Sequence, residues 1–359
     1  MSAADAGDAA DGCSPASAGI PPVENPLSSL TAGIIVCAYT QKRWDELASG
    51  VSELTAQLET GDQVIVVIDH NDALLARALA ELAPQGSNVL SSQGAPGLSS
   101  ARNTGIDACG NDLVLFLDDD AFPQPEWITA YRERFAESPD VVAVGGAVEP
   151  NWEGGSAPQW FPPEFGWVVG CDYTGMPKSG ESIRNPIGAS MAIRRTSFDV
   201  VGRFRSQIGR VGELPVGCEE TELSIRLSQA LPGSRILRDT RPVVKHLVPK
   251  SRQRVSYFWR RCYHEGRSKE AVAALVGTQS GLSSERSYVV KTLVRGVGIH
   301  LLAAVRGDFW GVTRAAMLPV GLTATVLGYM AGKIQRLRLE RLHARADRRG
   351  GRPTGTGTS

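Results

Sequence analysis

The 359-residue chain is long enough to bury a full core, and 38 Lys plus Arg balance 38 Asp plus Glu, so no overall field favours nucleic acid or another polyanion. Its six cysteines include no Cys-x-x-Cys pair, which argues against a zinc ribbon, a redox pair or a secreted disulfide framework and predicts a reducing, cytosolic setting. The opening MSAADAGDAADGCSPASAG is acidic and small, without the basic-then-apolar pattern of a signal peptide, and residues 1–30 are expected to be disordered.

Thr31 to Ala38 (TAGIIVCA) predicts a first buried strand, and Trp44 to Leu58 a helix with Leu47, Val51, Leu54 and Leu58 at helical spacing. Gln63 to Asp69 is a second strand ending on a carboxylate, Asp72 to Leu82 a second helix and Asn88 to Ser91 a short third strand. Gly94 to Gly105 (GAPGLSSARNTG) is a Gly-rich loop entering a helix at Leu98 or Ser99, with Arg102 and Asn103 on its first turns. The apolar run LVLFL is a fourth strand, and it leads straight into Asp118, Asp119 and Asp120. Strands alternating with helices imply an α/β class with a doubly wound, largely parallel sheet. Right-handed crossovers then bring Ala38, Tyr39, Asp69, Arg102 and the three aspartates to one crevice at the strand ends, where such sheets bind ligands.

After Phe135 the pattern changes. Val141 to Val148 is a strand, and Asn151 to Met176, rich in Trp, Pro and Gly, is an excursion toward substrate. Ile187 to Ile193 is a strand, Thr196 to Val201 a helix ended by Gly202, and Glu219 to Ala230 a helix with an acidic first turn. Arg235 to Leu237 and Pro242 to Leu247 complete the domain near Lys250. Val255 to Arg267 is a helix with an aromatic face and an Arg face. Ala315 to Gly332 is uncharged between Arg314 and Lys333, at the short end of a bilayer span, and with Val289 to Val305 it reads as an interfacial or hairpin segment, a packed helical subdomain being the alternative. The organisation expected is 1–30 disordered, 31–250 catalytic, 251–335 helical and membrane-associated, and 336–359 a basic disordered tail.

Several side chains carry chemistry, each with a plainer reading beside it. Clustered carboxylates at a strand end repel one another unless a cation or donor is present, which suggests a metal and nucleotide site, although Asp also favours caps and turns. Arg102 is a donor fork for phosphate, Asp69 or Asp118, or an ordinary surface Arg. Asp69 could equally cap the helix starting near Asn71. Tyr39 and Thr40 follow the first strand at the same edge. Glu219, Glu220 and Glu222 suit a helix N-terminus whatever their function. Gly188, Ala189 and Ser190 allow close approach of the backbone to a ligand, and Trp152, Trp160 and Trp167 offer rings for stacking or pack as core. His246, ending VVKH, is by default structural.

Seven motifs in order carry a resemblance: VCAYT, VVIDHND, GLSSARNTGI, LFLDDDAFP, GASMAIRR, CEETELSIRL and VVKH. Together they resemble the family-2 glycosyltransferases, inverting enzymes of the GT-A fold with a Rossmann-like sheet flanked by helices, over about Gly33 to Lys269. The resemblance implies a nucleotide-sugar donor, a hydroxyl acceptor such as a polyprenyl-linked saccharide, and a divalent ion, Mg²⁺ or Mn²⁺. It assigns Asp118 to the ribose, Asp120 and His246 to the metal, Asp69 to the nucleobase with Tyr39 and Thr40 bordering it, Gly188, Ala189 and Ser190 to the donor sugar, Trp152, Trp160 and Trp167 to stacking on sugar rings, Glu220 to the general base and Glu219 to orienting acceptor or base, and leaves Asp119 a structural or solvent-facing bystander. Glu-Glu-x-Glu-Leu replaces the commoner Glu-Asp-x-Asp-Leu, and the Gln-x-x-Arg-Trp element of processive relatives is missing, so transfer of a single sugar at the cytoplasmic face of the membrane is expected. Two rivals are a haloacid-dehalogenase-type phosphatase, whose Asp-x-Asp is normally followed by Gly-Thr rather than Ala121, Phe122 and Pro123, and a non-catalytic membrane-docked scaffold.

Overall fold

The computed structural model describes residues 30–205, 218–276 and 288–350. The expected first thirty residues, and the tail beyond Gly350, lie outside the described residues except for Leu30.

An eight-stranded sheet runs in the order β3-β2-β1-β4-β7-β6-β8-β5. Strands β1 (Ala32–Ala38), β2 (Gln63–Ile68), β3 (Asn88–Ser91) and β4 (Leu113–Asp118) are parallel. Helices α1 (Trp44–Thr55), α2 (Asp72–Glu81) and α3 (Leu98–Ala108) cross between them. These strands read as unbroken apolar runs because both faces are covered. Ile34, Val36, Val66 and Leu115 face one core with Leu47, Leu54 and Leu74, while Ile35, Val67, Val114 and Phe116 face a second with Ala101 and Ile106.

Beyond β4 the sheet is mixed rather than largely parallel. β7 (Ser190–Arg194) runs antiparallel to β4 and to β6 (Val141–Trp152), and β6 is parallel to β8 (Arg235–Val248). A three-residue strand β5 (Ala121–Pro123), too short for a sequence signal, pairs antiparallel with β8. Helix α4 (Trp127–Glu137), also not anticipated, packs its buried Trp127 and Tyr131 beneath β7. The two expected segments at Arg235 and Pro242 are one strand. Its register on β6 jumps between Arg238 and Val243, and Asp239, the first of the four residues inside that irregularity, is fully buried against Arg134 at 2.7 Å and Arg241 at 2.8 Å. Helix α5 (Arg195–Val201) follows β7, and α6 (Glu219–Ala230) packs Leu223 and Leu227 on the second core.

The C-terminal helices are α7 (Val255–Val276), α8 (Val294–Val305), which is preceded by a π-helical turn over Tyr288–Leu293, and α9 (Trp310–Gly350). Phe258, Cys262, Met317, Leu318 and Ala324 join the same core as β1 and β4, so these helices are packed onto the sheet domain. A buried Glu164–His300 pair at 3.0 Å ties α8 to the loop after β6. The basic segment expected to be disordered from 336 is instead helical to Gly350. Among the described residues, one helical stretch, Trp310–Leu342, is long and apolar enough by length and composition to cross a membrane, and a third of its most apolar window is buried against the protein.

Candidate active site

The site forms where β1, β2 and β4 end. In the β1–β4 register Cys37 lies opposite Asp118, so the carboxylates emerge beside Ala38, whose carbonyl accepts from the Asp69 N–H at 2.8 Å. Asp69 also accepts from the Gly97 N–H at 2.9 Å and faces His70 Nδ1 at 2.8 Å. The cap of α2 is Asn71, which accepts from the Leu74 N–H, so Asp69 is left to hold the Gly-rich loop at the strand edge. Tyr39 is half-buried beside the Arg43 guanidinium, 6.0 Å from its ring centroid.

Strand β5 explains how His246 reaches the aspartates. Ala121 pairs with His246, and the Leu247 N–H donates to the Asp120 carbonyl at 2.8 Å, which brings the imidazole Nε2 to 3.0 Å from Asp120 Oδ1. Asp118, Asp120 and His246 each offer one ligand atom, and all three atoms lie within 4.8 Å of one another. Two carboxylate oxygens and an imidazole can hold a divalent ion, so the donor set fits one, with Asp118 as a third donor in addition to Asp120 and His246. Gly170, at φ 82°, faces the imidazole edge, and a Cβ there would sit 3.2 Å from His246 Cε1.

Asp120 is buried and met by three cationic groups: His246, Arg43 at 3.1 Å and Arg252 at 3.2 Å. Burial works against its charge, yet His246, Arg252 and Arg43 hold the carboxyl well below the usual carboxylate range. Burial likewise depresses the imidazolium, but the Asp120 charge and hydrogen bond outweigh it and raise His246 to about 10. Asp119 is not solvent-facing. It is 5% exposed and paired with Arg43 at 2.7 Å, its Oδ2 is buried without a hydrogen-bond partner, and burial pushes its carboxyl up to about 7. Arg43 and Arg252 were not singled out from sequence. Arg43 sits just past VCAYT, a position that basic character close to a carboxylate cluster could have flagged.

Arg102 is buried rather than a surface residue. Its Nη1 donates to Glu220 Oε1 at 2.9 Å and reaches Glu219 Oε1 at 3.3 Å, while Nη2 lies 3.6 Å from Asp118 and donates to the Gly188 carbonyl at 3.4 Å. The guanidinium therefore joins the acidic end of α6 to the end of β4. Gly188 is what permits it, because a Cβ there would sit 2.1 Å from Glu220 Oε1 and 2.6 Å from Arg102 Nη2. Glu222 stands apart, bound to Arg226 at 2.7 Å and Arg205 at 3.1 Å. Arg102, Asp118, Gly188, Glu219 and Glu220 line a cavity of about 980 Å³ that reaches the C-terminal helices.

Three expected sugar contacts, Ser190, Trp152 and Trp160, are not brought to this cavity. Ser190 is fully buried, accepting from Trp127 Nε1 at 3.0 Å and bonded to the Tyr131 hydroxyl at 2.8 Å, because β7 turns that side chain into the core. Trp152 packs edge-on against Phe161 at 5.3 Å and borders a separate cavity of about 430 Å³. Trp160 packs in the same aromatic cluster, and of the three tryptophans only Trp167 lines the larger cavity, together with Gly188 and Ala189.

The sequence pattern of Glycosyl transferase family 2 matches residues 33–202. The glucosyl-dolichyl phosphate glucuronosyltransferase of Haloferax volcanii is 29% identical over 247 residues, covering 68% of this chain and 78% of that protein. Succinoglycan biosynthesis protein ExoM of Rhizobium meliloti is 28% identical over 251 residues, covering 68% of this chain and 75% of that protein. Among solved structures, the mannosyltransferase PcManGT of Pyrobaculum calidifontis, in complex with GDP-Man and Mn²⁺, covers 82% of this chain and 86% of its own at 15% identity and a TM-score of 0.49. The family pattern over the parallel half of the sheet and the carboxylate edge, together with these curated relatives, sets the phosphatase reading aside: the chain carries the glycosyl transferase family 2 pattern over residues 33–202 and is a glycosyltransferase of the GT-A fold.

Proposed function

We propose that the chain moves one sugar, with inversion, from a nucleotide-sugar donor to a hydroxyl of a lipid-linked acceptor in cell-envelope glycan synthesis, working at the cytoplasmic face of a membrane. The names of its relatives support this: one is a glucosyl-dolichyl phosphate glucuronosyltransferase and the other a succinoglycan biosynthesis protein. The observation that carries it is the Arg102 bridge, which draws the acidic start of α6 and the carboxylate edge of β4 into one cavity.

Glu220 is the base. Its side chain is 16% exposed on the cavity, against 4% for Glu219, so an acceptor hydroxyl can reach it. The Glu220 carboxylate takes the hydroxyl proton, and the oxygen bonds the anomeric carbon from the face opposite the leaving group. The bond from that carbon to the phosphate oxygen breaks, its electron pair departs with the nucleoside diphosphate, and the proton stays on Glu220. Glu219 positions the base through their shared Arg102 contact. Asp118, Asp120 and His246 would hold a divalent ion, Mg²⁺ or Mn²⁺, which as a Lewis acid neutralises the diphosphate charge. Ala38, Tyr39 and Asp69 form the nucleotide end of the crevice, Gly188 and Ala189 the donor-sugar wall.

Glu220→Gln tests the assignment. The variant should bind nucleotide sugar as before and lose transfer by roughly 10²- to 10⁴-fold, the usual worth of a general base. Unchanged turnover would move the base elsewhere.

A further inference from the structure

The cavity continues past Glu220 to a second charged group that the sugar-transfer reading does not use. Arg261, Glu265 and Lys269 are spaced one helical turn apart on α7 and all line it. Arg261 Nη1 contacts Glu265 at 2.8 Å and Lys269 Nζ contacts the same carboxylate at 3.4 Å. Arg261 also lies 6.0 Å over the ring of Trp167, another lining residue.

The facing wall is of opposite character. Helix α9 presents Leu322, Val326 and Tyr329, and the turn before α8 adds Val289 and Leu293. Helices α7 and α9 approach until their backbones touch: a Cβ on Gly266 would sit 1.9 Å from the Thr325 carbonyl oxygen, and one on Gly328 1.8 Å from that of Tyr263. That contact sets the cationic row directly beside the apolar wall. Outward, the apolar surface continues through Val326, Leu327 and Met330, each about half exposed.

We infer that this end of the cavity is an acceptor site for an isoprenoid phosphate, with Arg261 and Lys269 holding the phosphate and Leu322, Val326 and Tyr329 receiving the chain; the inference rests on the lipid-linked acceptor proposed above. A charged phosphate needs donors within reach, and guanidinium and ammonium groups supply them. A free sugar would leave the apolar wall unfilled, and a plain hydrocarbon would leave the cationic row without use. Glu220 lines the same cavity, so a sugar hydroxyl linked through that phosphate would share the space with the proposed base.

Calorimetric titration of the detergent-solubilised full-length protein with farnesyl phosphate, farnesol and inorganic phosphate tests this. Wild type should bind farnesyl phosphate, with farnesol and inorganic phosphate each at least about tenfold weaker. Arg261→Gln and Lys269→Gln should each weaken farnesyl phosphate about tenfold, Arg261→Lys should keep much of the affinity, and Val326→Glu should weaken it by rejecting the chain. If Arg261→Gln does not fold, as judged by far-ultraviolet circular dichroism, the contrast between Lys269→Gln and wild type carries the test. Farnesyl phosphate binding that survives both charge-removing variants overturns the site while leaving the lipid-acceptor reading intact. No binding of farnesyl phosphate by wild type overturns that reading as well. Inorganic phosphate binding as tightly as the lipid would make this a phosphate site without a chain channel, and would also overturn it.

Discussion

Arg102 Nη1 donates to Glu220 Oε1 at 2.9 Å across 118 residues of sequence, and the same buried guanidinium reaches Asp118 with its other nitrogen. One side chain thus couples the group proposed to take the acceptor proton to the edge proposed to hold the leaving group. Three carboxylates depend on it for their charge balance.

Removing Arg102 should therefore cost stability as well as turnover. Arg102→Met leaves Glu219, Glu220 and Asp118 without their common cation, and loss of one partner from a buried ion pair typically costs about 3 to 5 kcal/mol. Urea unfolding should report that loss. Arg102→Lys should recover only part, since one ammonium cannot span both groups as the planar fork does.

Gly188→Ala should preserve the fold and damage catalysis. The new Cβ has to displace Glu220 or Arg102, whose atoms stand 2.1 and 2.6 Å from it. A shift of about 1 Å at a reacting group can cost roughly 10²-fold. A kcat down by that order with an unchanged melting temperature is the expected result, and full activity would mean that Glu220 tolerates displacement.

Divalent ion should be required. Transfer should vanish in a chelator and return with Mn²⁺ or Mg²⁺, and His246→Ala should raise the Mn²⁺ concentration for half-activation by at least about tenfold. Full activity in chelator would remove the ion from the proposal and leave His246 as the partner of Asp120 alone.

Glu265 predicts an acid-sensitive component of stability. Burial opposes its charge, but Arg261 and then Lys269 lower its pKa from the ordinary 4.5 to about 2. A depressed carboxylate stabilises the fold above its unfolded pKa, and that stability disappears as pH falls through the folded one. Wild type should lose on the order of 3 kcal/mol between pH 4.5 and 2 from this group. Glu265→Gln should flatten the unfolding free energy over that window, and an identical profile would show the carboxylate titrating normally.

Membrane contact should map to the turn between α8 and α9. Val305 is 85% and Phe309 82% exposed, with Trp310 beside them, an apolar tip that water does not favour. Liposome flotation should carry the wild-type protein, and Val305→Glu combined with Phe309→Glu should reduce the floated fraction several-fold. Equal flotation would place the contact elsewhere on the helices.

Much of the site was legible in the linear chain. The apolar runs of β1, β2 and β4 announce strands covered on both faces, the Gly-rich loop announces the start of α3, and the acidic first turn announces α6. What failed did so for a geometric reason. Side chains alternate along a strand, so whether Ser190 meets a sugar or Trp127 depends on the register of β7 and not on its composition. Trp152 went to an aromatic cluster because β6 runs on to that residue instead of ending at Val148.

Sequence by itself determined the family pattern, the parallel half of the sheet, and which carboxylates stand at element ends, since local periodicity and motif order suffice for each. Tertiary structure alone decided who meets whom. The three-residue β5 delivers His246 to Asp120, Arg102 closes on Glu220 only because Gly188 lacks a Cβ, and α9 reaches the cavity through its backbone contact with α7. Those contacts join residues tens to more than a hundred positions apart, and no local pattern encodes a pairing whose free energy exists only once both partners are buried together.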